Sequence, residues 1–239
     1  MRTVLVLTIL SATLFSSCGF FGKRVRGNGN ITTETRDVSG YNSIDVSGNI
    51  DVYVRNDSTQ SVKVVTDQNL QEFLTIREEG GILRIYPRNG YNLKSSSAIK
   101  VYVSGSDFRR FEASGACDIF SEGLVSSNGS VDIDLSGSCD AKLELRSPKI
   151  TADISGAGSV TLKGETKDLA VDGTGSSSFK CLELRAENVE VAITGSGSAE
   201  IFASVKLDVD VTGSGSVKYM GNAAVSQSVS GSGSVRKIQ

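Results

Sequence analysis

The chain has no histidine, no tryptophan and only two prolines among its 239 residues. Without histidine, catalysis that needs an imidazole is excluded, and the lack of both histidine and CxxC spacing argues against a zinc site. Charge of one sign is also lacking, since 25 Lys and Arg face 27 Asp and Glu for a formal net charge of −2. Such a balance creates no global field for nucleic acid, and no dense basic cluster with interleaved aromatics exists to read it. GxSxG, HExxH, P-loop and dinucleotide-binding patterns are missing as well, so no cofactor, no metal and no catalytic residue is assigned. Beyond the first residues, no apolar run is long enough to span a bilayer.

What is present is glycine, 26 of them, among Val, Ile, Leu, Ser and Thr. That mixture favours many short strands joined by turns. The glycines recur in an aliphatic–Ser/Thr–Gly–Ser/Ala–Gly step, clearest at Ile154 to Gly158, Ile193 to Gly197, Val211 to Gly215 and Val229 to Gly233. Repeats of roughly 17–22 residues identify a chain whose units bury their apolar faces only against neighbours. Alignment on Gly115, Gly137, Gly156, Gly173, Gly195, Gly213 and Gly231 gives inward columns two residues before the glycine (Ala113, Leu135, Ile154, Val171, Ile193, Val211) and four before it (Phe111, Ile133, Ala152, Leu169, Val191, Val209). After the glycine the pattern resumes with Ile119, Ala141, Val160, Ala199 and Val217, then Leu143, Leu162, Phe179 and Ile201. Period-two alternation on both sides predicts two strands with a glycine corner between them, repeated as an all-β, right-handed parallel β-solenoid. Replacement of Gly195 or Gly213 by a β-branched residue is expected to damage it.

Residues 105–239 hold the regular repeats and 31–104 irregular N-terminal coils, the whole of 31–239 reading as one continuous domain. The rival arrangement is a small β-sandwich from Ile31 to Ser104 capping the coil. Asn56 to Gln60 and Arg88 to Ser97 are expected as exposed loops. At the front, Arg2 and the apolar run Val4 to Phe15 read as an export signal over 1–17. Ser16-Ser17-Cys18-Gly19 then resembles a bacterial lipobox, with Phe15 standing where Leu is usual; Cys18 is the expected lipidation site, against an ordinary signal peptide with an incidental cysteine. Residues 18–30, with Lys23, Arg24 and Arg26, read as a basic tether. The expected location is the cell envelope, at the outer membrane on either its periplasmic face or its surface, with the membrane contacted through the anchor.

Three cysteines remain, an odd number that cannot all pair within one chain. Cys117 and Cys139 occupy equivalent places in adjacent repeats, and side chains pointing in parallel suit two stacked thiols better than a bridge.

The Ser-Gly-Ser-Gly turns, the strands Tyr41 to Gly48 and Gly81 to Ile85, and the late Val217 to Gly221 resemble the head GIN domain family, an adhesin-like group, from about Val38 onward. The resemblance implies a β-helix-like fold in small exported bacterial proteins, many of them lipoproteins. It implies no catalytic residues.

Chemistry, if any, belongs on the outward columns. An acidic face is expected from Asp132, Asp134, Asp153, Asp208 and Asp210, with Asp45 and Glu112 fitting the earlier coils and Ala170 and Ala192 interrupting it. Its role is read first as keeping an exposed sheet soluble, with cation or carbohydrate contact as the alternative. Asp118 and Asp140 align in neighbouring coils at a separation that would suit glycoside hydrolysis, yet solvent at the corner and scarce aromatic platforms argue against it. The expected function is therefore a non-catalytic binding or structural module with a glycan or envelope protein as ligand. The alternatives are a carbohydrate-active β-helix enzyme and a scaffold self-assembling through its coil ends.

Overall fold

The computed structural model describes residues 22–239; the expected signal segment and Cys18 lie outside them. Nineteen strands follow in order: β1 Lys23–Arg26, β2 Ile31–Arg36, β3 Ser43–Gly48, β4 Asp51–Asn56, β5 Ser61–Asp67, β6 Leu74–Glu79, β7 Ile82–Pro87, β8 Tyr91–Lys94, β9 Lys100–Gly105 and β10 Arg110–Gly115. They continue as β11 Asp118–Ser126, β12 Val131–Gly137, β13 Asp140–Gly156, β14 Ser159–Gly175, β15 Ser178–Gly195, β16 Ser198–Gly213, β17 Ser216–Met220, β18 Ala224–Gly231 and β19 Ser234–Lys237. Seventeen of them form one sheet, coiled as stacked parallel turns into a β-solenoid.

The corner shows why glycine recurs. Its carbonyl accepts the N–H of the residue that follows the next coil's glycine, as in Ser196 to Gly175 at 2.9 Å and Ser214 to Gly195 at 2.8 Å. A Cβ on Gly195 would lie 2.7 Å from the Gly175 carbonyl oxygen, and φ there is +115°. Close approach and left-handed backbone thus independently demand glycine. On either side, alternating side chains turn inward, and the core is a stack of aliphatic columns such as Val131, Ile150, Leu169, Val189 and Leu207.

One coil departs from the expected alignment. The glycine stacked on Gly156 and Gly195 is Gly175, whereas Gly173 pairs with Ile154 and Ile193 in an inward aliphatic column. Two glycines one pleat apart both satisfy the turn pattern, and only the ladder distinguishes them. The shift moves Phe179 into the column of Val160 and Ala199, and puts Cys181 in line with Ile201.

The N-terminal part mixes directions. β3 and β4 stack in parallel on β10 and β11, with Gly48 opposite Gly115, while β7 and β9 lie on their other sides. Antiparallel strands close this end: β6 against β7, β5 against β9, and β2 against β5. Tyr41 is buried among them, and its hydroxyl donates to the Ser104 carbonyl at 2.7 Å. Burial pushes that phenol up to about 12.

Two segments expected without regular structure are strands. Lys23–Arg26 pairs in parallel with Tyr91–Lys94, so part of the expected tether and part of the expected 88–97 loop form a two-stranded ribbon outside the main sheet. Four residues of ladder are too short to show alternation in sequence. Asp67, fully buried, ties the ribbon down by accepting from Gly29 N, Ser95 Oγ and both N and Oγ of Ser96 at 2.7–2.9 Å.

Candidate binding face

The acidic column is longer than expected. Asp45, Glu112, Asp134, Asp153 and Asp172 occupy one register position in consecutive rungs, because the correct glycine alignment brings Asp172 into line and moves Ala170 out of it. Ala192 then interrupts before Asp210. Asp132 and Asp208 lie on the neighbouring column. Basic residues answer the early rungs: Arg84 contacts Asp45 at 2.5 Å, and Arg110 contacts Asp134 at 2.8 Å. Among the described residues Asp153 and Asp172 have no ion pair. Desolvation against the sheet, then Asp134, Asp172 and Asp132, raise the Asp153 carboxyl above its ordinary range. Lys206 pairs with Asp208. No group of three His, Cys, Asp or Glu side chains able to hold a metal occurs among the described residues.

Asp118 and Asp140 do align, but their oxygens serve the corner. Asp118 Oδ1 accepts the Asp140 N–H at 3.3 Å, while Asp140 Oδ1 accepts the Ser159 N–H at 3.0 Å and its hydroxyl at 2.8 Å. Each carboxylate thereby caps the same backbone position one coil further on. Asp51 begins this column, its carboxyl raised by desolvation and by Asp118, with Lys100 opposing.

Beside it lies an arrangement that residue spacing did not reveal. Tyr102, Tyr53 and Phe120 occupy adjacent rungs of β9, β4 and β11 on the outer face. The Tyr53 ring stacks on Tyr102 with centroids 5.0 Å apart and on Phe120 at 5.1 Å. Lys100 stands over Tyr53 at 5.7 Å and Lys142 over Phe120 at 5.6 Å, both within cation–π range. Along the same register position follow Thr161, Lys180, Glu200 and Lys218. All three rings are half-buried, giving an apolar stripe rimmed by ammonium groups and hydroxyls.

Cys117, Cys139 and Cys181 are free and buried. The Cys117 thiol donates to the Ser114 carbonyl and Cys139 to Ser136, while the Cys117 N–H donates to Cys139 Sγ at 3.4 Å. Stacked thiols thus fill successive corners. The hydrogen bond with Cys139 and burial push the Cys117 thiol upward, which suits an inert filler.

The sequence profile described as "Putative auto-transporter adhesin, head GIN domain" matches residues 40–223. The chain belongs to the head GIN domain family. No curated protein matches it significantly. Among solved structures, a putative adhesin from Bacteroides fragilis is similar, with a TM-score of 0.85 at 21% identity over 90% of this chain and 100% of that one. A putative adhesin from Parabacteroides distasonis gives 0.64 at 28% identity over 90% and 100%. A protein from the same species described as a putative lipid binding protein gives 0.70 at 23% identity over 91% and 100%. These three solved structures share the solenoid fold, and the description of the family itself names a putative adhesin rather than an enzyme.

Proposed function

We propose that this head GIN domain is an exported binding module, held in the outer membrane envelope by a lipid on Cys18, that contacts glycan through the Tyr102–Tyr53–Phe120 stripe. The stacked rings carry this reading. Because Tyr102 and Phe120 cover the faces of Tyr53, the stack offers a sugar its ring edges, whose positive rim attracts hydroxyl oxygens; the rungs repeat at about the length of one hexose unit, and Lys100 and Lys142 supply further donors. The corner carboxylates are occupied by backbone and hydroxyl donors, which supports binding without bond cleavage. Screening against a glycan panel is expected to give hits that Tyr53→Ala and Phe120→Ala reduce at least tenfold. Unchanged binding in both variants overturns the site, and reducing-end release abolished by Asp140→Ala overturns the non-enzyme reading. Labelling with palmitate tests the anchor separately: a Cys18→Ala protein that retains label refutes it.

A further inference from the structure

The β1–β8 ribbon stands outside the main sheet as a strap, with β8 beside the Gly48 and Gly115 corners. Its two strands pair only with each other, and it is fastened near its ends. At one end the Tyr91 ring packs on Phe73 with centroids 4.7 Å apart. At the other, Asn69 donates to the Arg26 carbonyl at 2.8 Å, and the buried Asp67 carboxylate grips Gly29, Ser95 and Ser96.

Beneath the strap lies a cavity of about 360 Å³ whose floor is the first two glycine corners, Gly48 and Gly115. Bare backbone there is what leaves the space, since a Cβ on Gly48 would come within 2.9 Å of Pro87 Cδ. Pro87, Tyr91, Leu93 and Ile99 line the walls, and Asn49 and Asn92 add neutral polar atoms. No ionisable acid or base lines it apart from the Tyr91 phenol. Such a volume lies within the usual range for small-ligand sites, and water held against mostly apolar walls finds few partners.

The strap itself is basic. Lys23, Arg24, Arg26 and Lys94 are exposed along its two strands, which contain no acid. Among the described residues none of the four takes part in an ion pair. An apolar cavity beside an unneutralised cationic ribbon matches a ligand with an apolar tail and an anionic head.

We infer that the space under the strap is a binding site for the alkyl chain of an anionic amphiphile, a fatty carboxylate being the simplest. The tail lies over Gly48 and Gly115 against Leu93 and Ile99, and the ammonium of Lys23, which pairs with Tyr91 and shares its face of the ribbon, holds the head. This site is separate from the aromatic stripe and does not depend on it.

Calorimetric titration of the full chain carrying Cys18→Ser, which removes any covalent lipid, with dodecanoate, dodecanol and dodecyltrimethylammonium tests the inference. Saturable dodecanoate binding below its micelle concentration is expected, several-fold weaker for the alcohol and absent for the trimethylammonium compound. Leu93→Trp, which fills the cavity, should weaken dodecanoate at least tenfold. Asn49→Trp blocks the mouth from an exposed position and gives the same reading should the first variant fold poorly. Lys23→Gln should weaken the carboxylate but leave the alcohol unchanged, whereas Arg24→Gln, on the other face of the ribbon, should change neither. Absence of saturable binding, equal binding of the cationic amphiphile, or full binding by both tryptophan variants overturns the inference.

Discussion

Phe179 occupies the space that Gly173 leaves open: a Cβ at position 173 would lie 2.8 Å from Phe179 Cε2 and 2.1 Å from Ser177 Oγ. The neighbouring coils place Ile154 and Ile193 opposite the glycine, and Val160 and Ala199 beside the phenylalanine. One coil has therefore exchanged a medium and a small side chain for none and a large one, at nearly constant volume. Phe179→Ala leaves a cavity and should cost about 3–5 kcal/mol in urea unfolding. Gly173→Ala is destabilising alone, and the double variant should lose less than the sum of the two, because the removed ring makes room for the added methyl.

At the corners the expectation is harsher. Gly195→Val and Gly213→Val place a branched side chain at φ of +115° and +116°, within 2.7 Å and 2.6 Å of the preceding corner's carbonyl oxygen. Neither variant should yield folded protein by circular dichroism. Ser196→Ala, one residue on, keeps the N–H that bonds Gly175 and should fold normally.

Asp67 makes the N-terminal closure sensitive to acid. Burial alone would raise its carboxyl, but donors from Ser95, Ser96 and Gly29 hold it well below the usual carboxylate range. A folded-state value below the unfolded one means the stabilisation is complete above about pH 5 and drains away as pH falls below about 4. Asp67→Asn leaves several donors poorly matched and should cost about 1–3 kcal/mol at pH 7. Its unfolding midpoint should also fall less steeply between pH 5 and pH 2 than that of the native chain.

Asp153 has the opposite sign. Its carboxyl is raised, so the folded state holds the proton more tightly than the unfolded chain, and stability improves as pH falls through the folded value. At neutral pH its charge opposes folding. Asp153→Asn should raise the unfolding midpoint slightly, by a few tenths of a kcal/mol because solvent screens this exposed group, and added salt should shrink the gain.

The repeating corner was readable because every coil restates it: glycine, small residue and alternating aliphatics recur until the columns identify themselves. Only where Gly173 and Gly175 both fit did alignment slip, and with it the placing of Asp172. The aromatic stripe was not readable in the same way. Tyr53 and Phe120 lie in equivalent repeats, but Tyr102 joins them from β9, which stacks on the far side of β4, so spatial order inverts chain order. The strap is hidden for another reason. Lys23 to Arg26 and Tyr91 to Lys94 are short and mostly polar, and their pairing depends on a buried carboxylate at Asp67 that no local pattern announces.

Coil length varies from 18 residues between Glu200 and Lys218 to 22 between Asp118 and Asp140, yet the corner glycines remain stacked. The slack appears at the opposite bend, where ladder register shifts between Cys181 and Ala186 and again before Asn188. One edge of the solenoid thus acts as a spine and the other as a margin that accepts extra chain. Peptides spliced at successive bends at Pro148, Lys167 and Glu187 would emerge as a file, one rung apart at about 4.8 Å, like teeth on a comb.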